Sequence, residues 1–117
     1  LPRKETRRHL LEIGCGWGGL AVRAALQDPS LRVVGITLSR EQLSAARKRA
    51  EAAGLETTAV RFELCDYREL GKAARDPDHA LREIIPDGGF DAVISCEMIE
   101  AVGHAGLPGF FASIRGL

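Results

Sequence analysis

The chain is 117 residues long, which limits it to one small domain. Its 16 lysines and arginines are balanced by 16 aspartates and glutamates, so no overall charge favours binding to a nucleic acid. The three cysteines, Cys15, Cys65 and Cys96, are widely spaced. This spacing fits neither a disulfide framework nor a zinc site, and it is typical of reduced thiols in a cytoplasmic protein that binds no metal.

The first half of the predicted core is a strand, a glycine-rich turn and a helix. Residues 1–9 are predicted to be irregular, and residues 10–13 form an apolar strand that contains one acid, Glu12. The turn consists of Gly14, Cys15, Gly16, Trp17 and Gly18. A helix over residues 18–27 follows. Its predicted inward residues are Leu20, Ala21, Ala24 and Ala25. This succession is typical of the ligand-binding corner of doubly wound α/β folds.

The next two segments continue the alternation of strands and helices. A β-branched, nearly continuous apolar run predicts a buried strand over residues 31–38. Ser39 is a good N-cap for a helix over residues 40–53, and Gln42 stands in the capping-box position. Apolar and polar residues then alternate over residues 60–65, which predicts a third strand.

The remaining segments are more polar. Residues 71–89 contain a short helix that starts at Asp76. Its predicted inward residues are Leu81, Ile84 and Ile85. Residues 90–95 form a fourth strand, and a last helix starts near Pro108. The alternation predicts an α/β fold with a doubly wound, mostly parallel sheet of about four strands.

The carboxyl ends of the predicted strands carry the candidate functional residues. Parallel sheets bind ligands beyond these ends, at the point where the strand order reverses. The glycine-rich turn, Thr37, Asp66 with Tyr67, and residues 97–100 each follow a strand. We expect these four segments to meet at one edge of the sheet.

Two ligand classes fit the glycine-rich turn. The spacing Gly14-x-Gly16-x-x-Gly19 matches the dinucleotide fingerprint, which expects an acid about 20 residues further on. Thr37 stands near that place instead, and Glu12 would repel a pyrophosphate. A carboxylate there favours a cation such as S-adenosylmethionine, although it could merely cap the backbone of the turn. A nicotinamide oxidoreductase and a non-catalytic binding module are the alternative functions.

Four sequence blocks carry a family resemblance. LEIGCGWGGLA, GITLSREQ, CDYREL and FDAVISCEMIEAVGH occur in this order, and the resemblance extends from residue 10 to about residue 111. They resemble the cyclopropane-fatty-acyl-phospholipid synthase family, whose members are S-adenosylmethionine-dependent enzymes with the Rossmann-like class I methyltransferase fold. The resemblance implies that residues 1–117 are a single partial domain, the cofactor-binding half of a methyltransferase domain, which we expect to be inactive alone.

The resemblance also implies which residues bind S-adenosylmethionine. These residues are Glu12, Gly14, Cys15, Gly16, Trp17, Gly18, Thr37, Gln42, Asp66 and Tyr67. Glu12 would face the methionine moiety, while Thr37 and Gln42 would hold the ribose in place of the missing acid. Asp66 and Tyr67 would flank the adenine.

Glu100 matches the family glutamate that helps to hold a bicarbonate ion in the active site. In that family, a methyl group is transferred to a cis double bond of an unsaturated phospholipid acyl chain. The resulting carbocation loses a proton to bicarbonate and closes to a cyclopropane. Ala101 departs from the family, which commonly has a histidine there, and residues 71–89 are longer than the usual link.

The resemblance implies a phospholipid or fatty-acyl substrate and a cytoplasmic protein that docks transiently at a membrane. Methylation of a fatty-acyl or sphingolipid chain without ring closure is the alternative reaction.

Overall fold

The computed structural model describes residues 7–95. Within them the chain forms, in order, β1 (Arg8–Ile13), α1 (Gly19–Gln27), β2 (Leu31–Thr37), α2 (Arg40–Ala52), β3 (Val60–Leu64), α3 (Tyr67–Arg75), a 3-10 helix (Ala80–Ile84) and β4 (Ala92–Ser95). The helix predicted near Pro108 lies outside the described residues. None of the helices in the described part is long and apolar enough to cross a membrane.

The four strands form one parallel sheet in the order β3-β2-β1-β4. Leu11 on the central strand β1 lies opposite Val34 of β2 and Val93 of β4. The chain therefore winds outward from β1 through β2 to β3, and then crosses back to β4 on the other side of β1. This reversal of strand order confirms the doubly wound prediction and places the switch point at the carboxyl ends of β1 and β4.

Two hydrophobic clusters cover the two faces of the sheet. On one face α1 and α2 pack through small side chains, and this cluster contains Cys15, Ala21, Val22, Ala25, Val33, Ala46, Ala50, Val60 and Phe62. On the other face α3 and the 3-10 helix pack against the strands, and this cluster contains Leu11, Ile13, Ile36, Cys65, Tyr67, Leu70, Ala73, Ile84 and Ile85. The predicted inward positions of the 3-10 helix segment are confirmed, since Ile84 and Ile85 belong to the second cluster and Leu81 packs against it.

The structure corrects two predictions near the start of the chain. β1 begins at Arg8 rather than at residue 10, because the polar residues Arg8 and His9 extend the ladder opposite Leu31 and Arg32. Leu20 was predicted to face inward but is 47% exposed. The buried stripe of α1 consists of Ala21, Val22 and Ala25. Small residues in this stripe let α1 approach the sheet closely, and the stripe turns Leu20 outward.

The prediction for residues 71–89 missed a helix. The nine-residue helix α3 runs through Gly71 and connects β3 to β4. Its sequence is strongly polar, and an internal glycine costs a helix about 1 kcal/mol, so local propensity hid it. Two features stabilise α3: Asp66 caps its N-terminus, and its buried stripe packs on the sheet. That stripe contains Tyr67, Leu70, Gly71 and Ala73.

Candidate cofactor-binding site

Main-chain hydrogen bonds attach the glycine-rich turn to β2. The N–H groups of Gly14 and Cys15 both donate to the carbonyl oxygen of Ile36, at 3.0 and 2.9 Å. Gly16 and Gly18 have φ angles of 56° and 85°, in the left-handed region that favours glycine. No side chain caps the N-terminus of α1, which follows the turn. The turn thus places the first N–H groups of α1 at the carboxyl edge of the sheet, where they can bind a ligand.

Glu12 is buried in the middle of the sheet beneath this turn. It lies on β1 between Gly35 of β2 and Ile94 of β4, and its exposed fraction is 3%. Its Oε1 atom has no hydrogen-bond partner among residues 7–95. Burial raises the pKa of Glu12 to about 7. An unpartnered buried carboxyl is costly, so a positively charged ligand at this edge would compensate it.

Cys15 belongs to the turn and is not a candidate nucleophile. The side chain is buried, and burial together with the charge of Glu12 raises the pKa of the thiol to about 12. A Cβ atom on Gly35 would lie 2.9 Å from the Cβ of Cys15. Cys15 therefore contributes to the site through packing and through its main-chain N–H.

A cavity of about 330 Å³ opens beyond the carboxyl ends of β1 and β2. Ligand sites commonly have volumes of roughly 300–1,000 Å³. Its lining consists of Ile13, Gly14, Ile36, Thr37, Leu38, Ser39, Gln42, Cys65 and Tyr67. A larger cleft of about 1020 Å³ lies along β3 and α2 but includes none of the predicted site residues. The smaller cavity is the candidate site, because it lies at the strand ends, where parallel sheets bind ligands.

The lining tests the predicted placement of the site residues. Gly14, Thr37, Gln42 and Tyr67 are brought together in the cavity. Five other residues line the cavity that the sequence did not assign to the site: Ile13, Ile36, Leu38, Ser39 and Cys65. Ser39 was predicted only as a helix cap. The one signal for these positions was that each lies within two residues of a strand end.

Thr37 organises the end of β2 and the start of α2. Its Oγ1 donates to Oε1 of Gln42 at 3.1 Å and accepts from the N–H of Ser39 at 3.1 Å. The Ser39 hydroxyl accepts from the N–H of Gln42 at 3.2 Å, which confirms the predicted cap. Gln42 does not close the capping box, because its side chain bonds to Thr37. The amide NH₂ of Gln42 then remains a donor for a ligand hydroxyl in the cavity.

Replacing Thr37 by Val should remove these bonds without changing the side-chain shape. The main-chain N–H of Ser39 and the side-chain Oε1 of Gln42 would each lose a hydrogen-bond partner. We therefore expect the free energy of unfolding to fall by about 1–2 kcal/mol. Urea unfolding followed by circular dichroism measures this loss. The exposed Thr57 supplies a matched control, Thr57→Val, which should change stability little. Equal effects of both substitutions would contradict the assigned role of Thr37.

Asp66 and Tyr67 stand where β3 passes into α3. The Asp66 side chain accepts from the main-chain N–H of Arg68 at 2.8 Å and pairs with its guanidinium at 2.7 Å. These contacts lower the pKa of Asp66. Tyr67 is 7% exposed, so it forms part of the core as well as of the cavity wall. Asp66 itself does not line the cavity.

Replacing Asp66 by Ala should cost about 1 kcal/mol of stability at pH 7, since α3 loses its N-cap. The lowered pKa means that this contribution is present above the ordinary pKa of 3.8 and is lost as the pH falls below it. The difference between wild type and variant should therefore shrink in acid. Urea unfolding of wild type and variant measures the difference in stability at pH 7 and at pH 3. Asp87→Ala, at an exposed loop position, serves as the control, and a difference that does not change with pH would contradict the assigned cap.

Six of the ten predicted cofactor-binding residues do not line the cavity: Glu12, Cys15, Gly16, Trp17, Gly18 and Asp66. Trp17 is 54% exposed on the turn and is absent from the cavity lining. A Cβ atom on Gly16 would have no atom within 4 Å, so the space next to this glycine is open. Glu100 lies outside the described residues. Within residues 7–95, no group of His, Cys, Asp and Glu side chains could hold a metal ion.

Comparison with known families shows to which family the chain belongs. Residues 4–117 match the family model described as mycolic acid cyclopropane synthetase. The chain belongs to this family. The predicted resemblance to the cyclopropane-fatty-acyl-phospholipid synthases is therefore confirmed.

Curated relatives include three kinds of lipid enzyme. Tuberculostearic acid methyltransferase UfaA1 of Mycobacterium tuberculosis is 42% identical over 93% of this chain and 21% of its own length. Cyclopropane-fatty-acyl-phospholipid synthase of Escherichia coli is 36% identical over 90% of this chain and 22% of its own length. Sphingolipid C9-methyltransferase 1 of Gibberella zeae is 35% identical over 87% of this chain and 17% of its own length. The chain spans about a fifth of the length of these relatives.

Solved structures show the same fold. Geranyl diphosphate C-methyltransferase of Streptomyces coelicolor, in complex with S-adenosyl-L-homocysteine, is 26% identical with a TM-score of 0.54 over 75% of this chain and 28% of its own. A structure concerned with the conversion of a disulfide bond into a thioacetal group during echinomycin biosynthesis has a TM-score of 0.68 and 26% identity over 92% of this chain and 37% of its own. The predicted Rossmann-like class I methyltransferase fold is thus confirmed.

Proposed function

We propose that this chain is the cofactor-binding part of an S-adenosylmethionine-dependent enzyme that methylates a carbon atom of a lipid acyl chain. The observation that carries the proposal is the buried carboxyl of Glu12 beneath the glycine-rich turn, with Oε1 unpartnered in the described part of the chain. The ammonium and sulfonium groups of S-adenosylmethionine supply the positive charge that compensates such a group. The pyrophosphate of a dinucleotide would place negative charge there instead.

We propose a role for the described residues at each part of the cofactor. Glu12 and the N–H groups at the start of α1 would hold the methionine moiety. Thr37 and Gln42 would hold the ribose hydroxyls through neutral hydrogen bonds, and the ring of Tyr67 would contact the adenine. Asp66 would accept from the adenine amine only if Arg68 gave up part of its pairing, because the main-chain N–H and the guanidinium of Arg68 already make four hydrogen bonds to the two carboxylate oxygens.

Methyl transfer to an alkene depends mainly on positioning. S-adenosylmethionine supplies an electrophilic methyl group, and an alkene is a poor nucleophile, so the reacting atoms must be held in line. We propose that Glu100 holds bicarbonate as the base that takes the proton lost from the methylated chain. A base of this kind avoids a strong protein nucleophile that could itself be methylated.

The substrate we propose is an unsaturated fatty-acyl chain, either in a phospholipid or in a related lipid. The cyclopropane synthase among the relatives supports ring closure, and the fatty-acid and sphingolipid methyltransferases support methylation without it. Either substrate would bring the whole protein to a membrane surface as a peripheral partner.

Calorimetric titration tests the cofactor assignment. The chain, once shown to be folded by circular dichroism, is titrated with S-adenosylmethionine and separately with NADPH. Binding of S-adenosylmethionine alone is the expected result. Binding of NADPH alone would overturn the proposal in favour of an oxidoreductase.

Product analysis tests the acyl-chain assignment. The full-length protein is incubated with S-adenosylmethionine and phospholipids that carry cis-monounsaturated chains. Both reactions add one CH₂ group, so the proton signals of a cyclopropane ring separate ring closure from methylation without closure. An unchanged acyl chain with turnover on another acceptor would overturn the substrate class.

A further inference from the structure

The aromatic ring of Phe62, on β3, is wedged between two glycines of neighbouring segments. A Cβ atom on Gly35 of β2 would lie 2.7 Å from Cδ1 and 2.8 Å from Cε1 of this ring. A Cβ atom on Gly18, in the glycine-rich turn, would lie 3.0 Å from its Cζ. The ring is 3% exposed. Phe62 therefore bridges the middle of the sheet and the turn, although it lies outside the cavity lining.

The surroundings leave the turn and the ring little room to move. Below the turn, a Cβ atom on Gly18 would also lie 2.8 Å from the Cβ and 3.0 Å from the Cα of Ala46, which is fully buried on α2. The main chain of Phe62 is fixed as well, since its carbonyl oxygen accepts from Nε and Nη2 of Arg47 at 3.2 and 2.9 Å. Close-packed contacts of this kind transmit a change of shape to their neighbours.

We propose that Phe62 is a positioning residue, whose ring supports the glycine-rich turn from below and thereby sets the affinity of the site for its sulfonium nucleoside. The identity of that ligand rests on the proposed function, but the support of the turn does not. Removing part of the ring volume would let the turn sink towards β2 and α2. The N–H groups of the turn and of α1 would then no longer be aligned at the strand ends.

Phe62→Leu tests the support, and Val60→Ala is the matched control. Val60 is 2% exposed, belongs to the same strand and the same cluster, and lies two residues further from the turn. Both variants create a void in the core, so both should lower the melting temperature. Only Phe62→Leu should disturb the turn.

Amide hydrogen exchange gives a readout that needs no ligand. The N–H of Cys15 donates to the carbonyl oxygen of Ile36, and the N–H of Gly18 donates to that of Cys15. The N–H of Leu70 in α3 serves as the reference. In Phe62→Leu, exchange of the two turn amides relative to Leu70 should rise at least about fivefold through local opening. In Val60→Ala the ratio should stay at the wild-type value. A wild-type ratio in Phe62→Leu would overturn the proposal, whatever the ligand is.

Affinity for S-adenosylmethionine gives the second readout. At a temperature where both variants are folded, Phe62→Leu should bind it about tenfold more weakly and Val60→Ala within about twofold of the wild type. If the wild type bound no S-adenosylmethionine, the proposed function would be refuted. The exchange result would still decide whether Phe62 supports the turn. An opened turn with unchanged affinity would refute the link between support and binding.

A double substitution separates the ring contact from general loss of packing. Gly35→Ala alone should be strongly destabilising, since its Cβ would overlap the Phe62 ring. In the Phe62→Leu background the same substitution should lower the melting temperature less, because part of the overlap is removed. Additive losses in melting temperature would contradict the wedge.

Discussion

Replacing Glu12 by Gln is expected to raise the stability of the free protein while lowering its affinity for S-adenosylmethionine. Burial raises the pKa of Glu12 from an ordinary 4.5 to about 7. In the unfolded chain the carboxyl ionises first, so the unfolded state binds fewer protons than the folded state between these values. Stability therefore falls as the pH rises through this window, by about 3 kcal/mol in total.

Glutamine has nearly the same shape and does not titrate. Its buried amide also lacks a partner, so we expect a net gain in the free energy of unfolding of about 1–2 kcal/mol at pH 8 and little difference near pH 4. Urea unfolding at the two pH values measures both. The control is Glu56→Gln, at an exposed position outside the core, which should show no such dependence.

The same substitution removes a charged hydrogen-bond partner of the ligand. Such bonds contribute about 1.5–3 kcal/mol, so the dissociation constant should rise roughly ten- to a hundredfold. Binding to the wild type should strengthen as the pH rises through about 7 and should release protons, whereas the variant should show neither effect. Calorimetry in two buffers of different ionisation enthalpy detects the protons. A less stable variant with wild-type affinity would mean that Glu12 only supports the turn.

Replacing Gly18 by Ala should be among the most damaging single-atom changes in the chain. Gly18 has a φ of 85°, and a Cβ atom would lie 2.8 Å from the Cβ and 3.0 Å from the Cα of Ala46. The backbone strain costs about 1–2 kcal/mol, and overpacking against a helix backbone costs about 1–3 kcal/mol more. We expect a loss of about 2–5 kcal/mol in the free energy of unfolding, measured in urea.

Gly54 provides the matched control for this change. Its φ is 73°, and a Cβ atom there would have no neighbour within 4 Å. Gly54→Ala therefore introduces similar backbone strain without the overlap, and should cost only the strain. The difference between the two variants isolates the close approach of the turn to α2. Equal losses would contradict that approach.

The sequence predicts the features that depend on local chemistry. Local residue types predict β2, the Ser39 cap and the glycine-rich turn. A β-branched apolar run is typical of a buried parallel strand, and a serine before a helical pattern is typical of an N-cap. Glu12 was recognisable because a charge in an apolar strand needs a partner. In the structure Glu12 is buried, and its role towards a ligand stays a prediction.

Other features depend on tertiary contacts that no local pattern contains. The polar helix α3 forms because Tyr67 and Leu70 pack on the sheet, which outweighs its internal glycine. The exposed position of Leu20 depends on which side of α1 meets β2. The fit of Phe62 between Gly18 and Gly35 joins three segments that are distant in sequence. A glycine at position 35 is unfavourable for a strand on local grounds, and only its contact with the Phe62 ring explains why no side chain fits there.

The carbonyl oxygen of Ile36 accepts hydrogen bonds from both Gly14 and Cys15. One oxygen atom thereby connects the turn to the end of β2. In the proposed function the turn binds the methionine moiety of the ligand, and Thr37, the next residue after Ile36, binds the ribose. We therefore expect a ligand that contacts both the turn and Thr37 to restrain the two segments together.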